Sequence, residues 1–362
     1  MNRHASAALL CVAIASSGCA PAKKVVKGPP PPDPVVQQHD RLLVRLREHR
    51  DEELKANARF SAAAAAYEHA KDEYQQKLTE AMASKKASGR QKKVLEKNRS
   101  ALAQMIEDRD RVGQDLQKAF DTLILARKTR NATALGLREL DGELLQVEDR
   151  EGGGHAAVQQ RAAGELAAVR QAAQAADDAQ KAFGDAQAAV IAKEVEASQA
   201  IGTDVAKRDQ ADQELDQLRD KLEAAATSYV AAGAALEAAE DAYHGKVIGA
   251  LPAGAAHDRA KAALDKRVAA TKQLDEARAT VKAATIDRAA QTKQRIAFDS
   301  EIDRVVEAGL TAKVKRAVLD GLTPETDAIT KWRTEMQTEE NAALALQRKI
   351  ADAESELAKV DY

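Results

Sequence analysis

The chain has 362 residues, a formal net charge of −2, and only 3% aromatic residues beside 31% charged ones. So few large rings argue against two conventional globular cores, and 55 basic side chains interspersed with 57 acidic ones argue against a surface built to neutralise nucleic acid. Thin helical bundles with solvated outer faces fit this composition.

In chain order, the first feature is an address. Arg3 and His4 precede an apolar run from Ala5 to Ala15 that ends in small residues, the layout of a secretory signal over residues 1–18. The stretch Ala15-Ser16-Ser17-Gly18-Cys19 resembles the lipobox of bacterial lipoproteins, with Ser16 where leucine is commonest. The resemblance covers this N-terminal segment alone. It implies that Cys19 becomes the mature first residue and carries acyl chains, palmitate among them. In such lipoproteins an aspartate after the cysteine signals inner-membrane retention; Ala20 stands there, so the expected place is the outer membrane, facing the periplasm. Cys11 falls in the segment to be removed, which leaves no disulfide framework.

Residues 19–39 read as the anchor cysteine and a tether. Lys23, Lys24 and Lys27 suit anionic head groups, and the run Gly28-Pro29-Pro30-Pro31-Pro32-Asp33-Pro34 favours extended polyproline geometry at about 3.1 Å per residue.

Helical signals begin near Asp40. No proline occurs from Val35 to Leu251, so the turns are sought at glycines: Ser88-Gly89-Arg90, Gly152-Gly153-Gly154, Gly245 to Gly254, and Gly321-Leu322-Thr323-Pro324. At the last, Gly321 suits a C-terminal cap, Thr323 an N-cap and Pro324 the first helical position. Folding the heptad columns about these centres pairs Phe60 with Ala119, Leu123 with Phe183, Tyr229 with Ala270, Leu218 with Val281 and Phe298 with Ala343. The register also runs on through Gly89, but Ser84, Ser88 and Gln91 on the seam favour a turn there.

The longest expected element runs from Ala156 to His244. Leu166, Ala173, Ile201, Leu215, Leu222, Tyr229, Leu236 and Tyr243 share one seven-residue column, which predicts an unbroken helix of roughly 130 Å. Its seam weakens at Glu194, Asp204 and Arg208, where a bend is expected. The fold class is all-α: an elongated antiparallel coiled-coil or helical-bundle rod of about five long helices. Residues 40–211 form a first bundle and 212–362 a second, sharing the helix 156–244.

Chemistry is sparse in the pattern. The seven histidines show no helical ligand spacing, and His244 and His257, which flank one loop, are expected in solvent. No catalytic residue, metal site or cofactor is expected. Arg109 and Arg130 on the seam are expected to snorkel or pair with acids, and Trp332 to lie in a core with Met336 and Ile350. The basic cluster Lys85, Lys86, Arg90, Lys92 and Lys93 is the best candidate contact patch for an anionic glycan, lipid or protein. These features suggest a non-enzymatic, membrane-anchored periplasmic lipoprotein acting as a spacer or scaffold, with an unidentified protein partner and room for a second copy. The alternative is a helical-hairpin component of an envelope transport or secretion assembly.

Overall fold

The computed structural model describes residues 34–83, 89–200, 205–309 and 320–361. The signal segment, Cys19 and the proline run before Pro34 lie outside the described residues. The chain from Pro34 onward forms one compact unit. Among the described residues it is all helical, without a strand: α1 (Pro34–Ala83), α2 (Gly89–Gly152), the short α3 (His155–Arg161), α4 (Ala163–Ala200), α5 (Val205–Gly249), α6 (Ala255–Gly309) and α7 (Thr323–Asp361). Alanine, leucine, glutamine, arginine, lysine and glutamate dominate these segments, and they are the strongest helix formers. The longest, α2, has 64 residues and spans about 96 Å.

The six long helices close into a ring. Going round it, α7 lies against α1, α1 against α2, α2 against α6, α6 against α5, α5 against α4, and α4 against α7. Each neighbour runs antiparallel. On the α7–α1 seam, Leu46 shares a cluster with Ile350 and Leu357, and Arg45 and Arg59 reach Glu356 and Glu339 at 3.0 and 2.8 Å. Phe60 meets Phe120 edge-on at 5.0 Å on the next seam, one residue from the pairing expected about Gly89. Leu137 packs with Leu274 between α2 and α6, and Phe183 stacks on Tyr229 at 5.1 Å between α4 and α5. Of the turn expected at Ser88-Gly89-Arg90, Gly89 and Arg90 already belong to α2, and residues 84–88 lie outside the described residues.

Three expectations are corrected. The helix from Ala156 to His244 is not continuous: α4 ends at Ala200, α5 begins at Val205, and the two fold back on one another. A heptad column survives such a reversal because each half keeps its apolar stripe, so periodicity alone does not separate a rod from a hairpin. The predicted weak seam flanks this reversal, although Asp204 lies outside the described residues.

Secondly, α7 packs against α1 and not against α6. On this seam Leu42, Leu43 and Leu46 of α1 are buried with Ile350, Ala353 and Leu357 of α7, and the ion pairs Arg45–Glu356, Arg59–Glu339 and Lys77–Glu325 cross it. Because α1 also meets α2 and α2 meets α6, residues 40–211 and 212–362 interlock and do not form separate bundles.

Thirdly, helix starts at Pro34 and not near Asp40. Proline at a first helical position forgoes only an N–H that has no intrahelical acceptor there.

The triple-glycine turn stands as expected. Gly153 and Gly154 take φ of 86° and 96°, a region that penalises any Cβ, and the Gly154 N–H donates back to the Asp149 carbonyl at 3.1 Å. The next turn runs from Ala250 to Gly254, so its centre lies near Pro252 and the α5–α6 pairs shift from those expected about Gly249.

Candidate functional site

With few aromatic residues to fill it, the ring closes around alanines and long charged side chains. Two heptad columns carry the pattern. On α6, Arg267, Leu274, Val281, Arg288, Arg295 and Ile302 follow one another every seven residues, and on α2, Arg109, Leu116, Leu123, Arg130, Leu137 and Leu144 do the same. All twelve are buried. Every arginine among them meets at least one carboxylate.

The largest ionic layer joins α2, α5 and α6. Arg267 is wholly enclosed, and its guanidinium donates to Asp141, Glu240 and Asp241 and, at 3.4 Å, to Glu237. Arg138 donates to Asp141 at 2.8 Å and to Glu240 at 3.0 Å, and Arg278 to Glu237 at 2.9 Å. Two glycines admit the long side chains. A methyl at Gly233 would stand 2.7 Å from the Arg278 guanidinium, and one at Gly142 2.6 Å from the His39 ring. His244 is buried here too, with Nδ1 2.8 Å from Glu148, which corrects its expected place in solvent. The signal for this was available: His244 follows Tyr243 on the core column, one helical turn after Glu240.

A second layer joins α1, α2 and α6. Arg109 donates to Asp299 at 3.1 Å, to Asp110 at 3.0 Å and to Asp72, while Lys71 also meets Asp299. Arg295 donates to Glu68 and, at 2.7 Å, to the Arg109 carbonyl. A third layer ties α2 to α7, where Arg130 grips Glu354 with two hydrogen bonds of 3.0 and 2.6 Å. The expected pairing of Arg109 and Arg130 with acids is therefore present. In a fourth, Arg288 of α6 lies 2.7 Å from Glu194 of α4 and 2.9 Å from Glu340 of α7, with its guanidinium 5.4 Å from the Phe120 ring centre.

These surroundings move the carboxyl groups in opposite directions. Burial would raise Asp299, but Lys71, Arg295 and Arg109 hold it down at about 2. Burial likewise opposes the ionised form of Asp141, and Arg267 and Arg138 overcome it. Around Glu194 burial prevails over Arg288 and pushes the carboxyl up to about 7. Glu240 rises as well, because burial and the nearby Glu237 and Asp141 outweigh Arg138 and Arg267. The chemical consequence is cross-helix attachment: each of these arginines reaches an acid on another helix, and Arg109, Arg267 and Arg288 engage acids from two or three helices at once.

Of the basic patch, Lys85 and Lys86 lie outside the described residues, as do the side chains of Arg90 and Lys92; Lys93 is exposed on α2. Trp332 packs at the edge of a cluster with Tyr67, Ile329 and Met336. No group of three or more metal-ligating side chains occurs among the described residues, and none of their helices is long and apolar enough to cross a membrane. Compared with known protein families, curated proteins and solved structures, the chain matches none.

Proposed function

We propose that the protein is a non-enzymatic lipoprotein of the cell envelope, held by acyl chains on Cys19 and facing the periplasm, in which the helical bundle serves as a spacer or scaffold of fixed length. The observation that carries this reading is the set of arginine–carboxylate layers across the ring, which join helices distant in the chain, such as Arg130 of α2 to Glu354 of α7. A buried and largely satisfied polar network favours one packing over its alternatives, and a spacer needs a defined length. The 64-residue length of α2 supports an elongated bundle as the spacer. The proline-rich stretch before α1 serves as its stand-off from the membrane, and the outer membrane is its proposed site because Ala20 follows Cys19. The partner is another envelope protein.

The anchor is tested by mass spectrometry of the mature N-terminus isolated from membranes. The expected product begins at Cys19 and carries a diacylglyceryl group and an amide-linked acyl chain. A mature protein starting at Ser16 with an unmodified Cys19 overturns it.

A further inference from the structure

A cavity of about 60 Å³ lies inside the ring, bordered by α1, α2, α4, α6 and α7. Space of that size takes one monatomic ion with a little water, since a single water occupies roughly 10–15 Å³ on the same measure. Leu116, Phe120, Ile191 and Met336 supply an apolar part of the wall. The polar part is rich in unused donors: the Nε–H groups of Arg288, Arg295 and Arg333 are buried without an acceptor. Arg288 and Arg295 are themselves more than nine-tenths buried. Glu194 lines the same space, and although Arg288 Nη1 lies 2.7 Å from one of its oxygens, neither oxygen receives a hydrogen bond.

The charges that line the cavity pair off with two left over. Arg288 meets Glu340 at 2.9 Å, Arg295 meets Glu68, and Asp299 is held from behind by Lys71 and Arg109. Further out, Arg219 of α5 lies beside Asp216 and Arg127 of α2 beside Glu53. The remainder is Glu194 and Arg333. The Arg333 guanidinium has no carboxylate partner among the described residues and stands 5.9 Å from the Tyr67 ring centre. Burial favours the neutral form of Glu194 and raises its carboxyl to about 7. Once Glu194 is neutral, the positive charge of Arg333 is unmatched, and one monovalent anion balances it. With Glu194 ionised the wall is already balanced, and an anion would face a buried carboxylate without compensation.

We infer that the cavity is a halide site, suited to chloride, which fills together with a proton on Glu194. The ion accepts from the arginine Nε–H groups and from the Glu194 hydroxyl, and its low charge density tolerates contact with Phe120 and Met336. Doubly charged oxyanions exceed both the space and the one unmatched charge. This role goes beyond the spacer reading and does not depend on it.

The test is calorimetric titration of the full chain with sodium chloride, exchanged against sodium gluconate at constant ionic strength, at pH 5.5 and pH 8.5. Gluconate is too large to enter. The expected result is saturable chloride binding at pH 5.5 that is at least tenfold weaker at pH 8.5, where Glu194 must take up a proton to admit the ion. Arg333→Gln should weaken binding at pH 5.5 at least tenfold with helix content unchanged. Glu194→Gln, neutral at every pH, should bind chloride equally at both. If either variant does not fold, two measurements on the unaltered chain still decide: the pH comparison, and bromide located by anomalous scattering in crystals grown with sodium bromide at pH 5.5. Absence of saturable binding at pH 5.5, or equal affinity of the unaltered chain at the two pH values, overturns the proposal. So does pH-dependent binding by a folded Glu194→Gln variant, or water alone in the cavity of the bromide-grown crystals.

Discussion

Arg267→Met should destabilise the fold by about 3–5 kcal/mol, the range observed when one partner of a buried ion pair is removed. Arg267 is fully enclosed, and its loss leaves Asp141, Glu237, Glu240 and Asp241 facing one another on α2 and α5 with only Arg138 and Arg278 to compensate. Methionine fills much of the space, so the effect isolates charge and hydrogen bonding from cavity formation. The check is urea unfolding followed by helical circular dichroism, with the midpoint and slope compared between variant and parent. Adding Glu237→Gln should restore part of the loss, because Glu237 is held ionised in this layer and its removal takes away one of the stranded carboxylates. A loss below about 1 kcal/mol would mean that the layer is hydrated and contributes little, as exposed pairs do.

Stability should also fall as pH rises from 5 to 8, contrary to the usual behaviour of a protein rich in carboxylate–arginine pairs. Glu194 and Glu240 are raised in the folded state, so each contributes stability that is fully present below the unfolded carboxylate pKa and is lost as pH rises through the folded one. For Glu194 the window runs from about 4.5 to about 7, and the loss is on the order of 2–3 kcal/mol. The depressed acids act in the other direction. Asp299, held at about 2, contributes stability present above its ordinary 3.8 and lost as pH falls through 2. A maximum near pH 4–5 results, measured as the urea midpoint across pH 3 to 8. The double variant Glu194→Gln with Glu240→Gln should flatten the decline above pH 5. A profile that rises steadily from pH 4 to 8 would contradict the protonated state of both groups.

The sequence displays the helices far better than their arrangement. Turn chemistry is local: two glycines at positive φ, or a proline in a first helical turn, declare themselves in a few residues. Partner choice is not local. Leu46 and Ile350 belong to columns as regular as any other in the chain, and only their burial together shows that the two ends of the protein meet. The reversal between α4 and α5 was hidden for a related reason. Phe183 and Tyr229 lie on separate heptad columns, which a straight helix would keep as one stripe and which a hairpin brings face to face. The arginine layers leave a signal in the sequence. Arg267, Arg288 and Arg295 occupy core positions in an otherwise apolar column, as Arg109 and Arg130 do on α2, and a recurring charge on a seam signals a buried partner. Which acid serves as that partner depends on the packing of distant helices, so Glu354 opposite Arg130 could not be read from the chain.

The measurement that bears most directly on the fold is the distance between α4 and α5. Spin labels at Lys181→Cys and Ala231→Cys, in full-length protein with Cys11 and Cys19 replaced by serine, occupy exposed positions on the two helices. Helices packed at 8–10 Å place such labels within roughly 10–25 Å of each other. An unbroken helix through residues 181–231 would separate them by about 75 Å. A short distance by electron–electron double resonance is the expected result; a long one would contradict the hairpin and, with it, the closed ring of six helices.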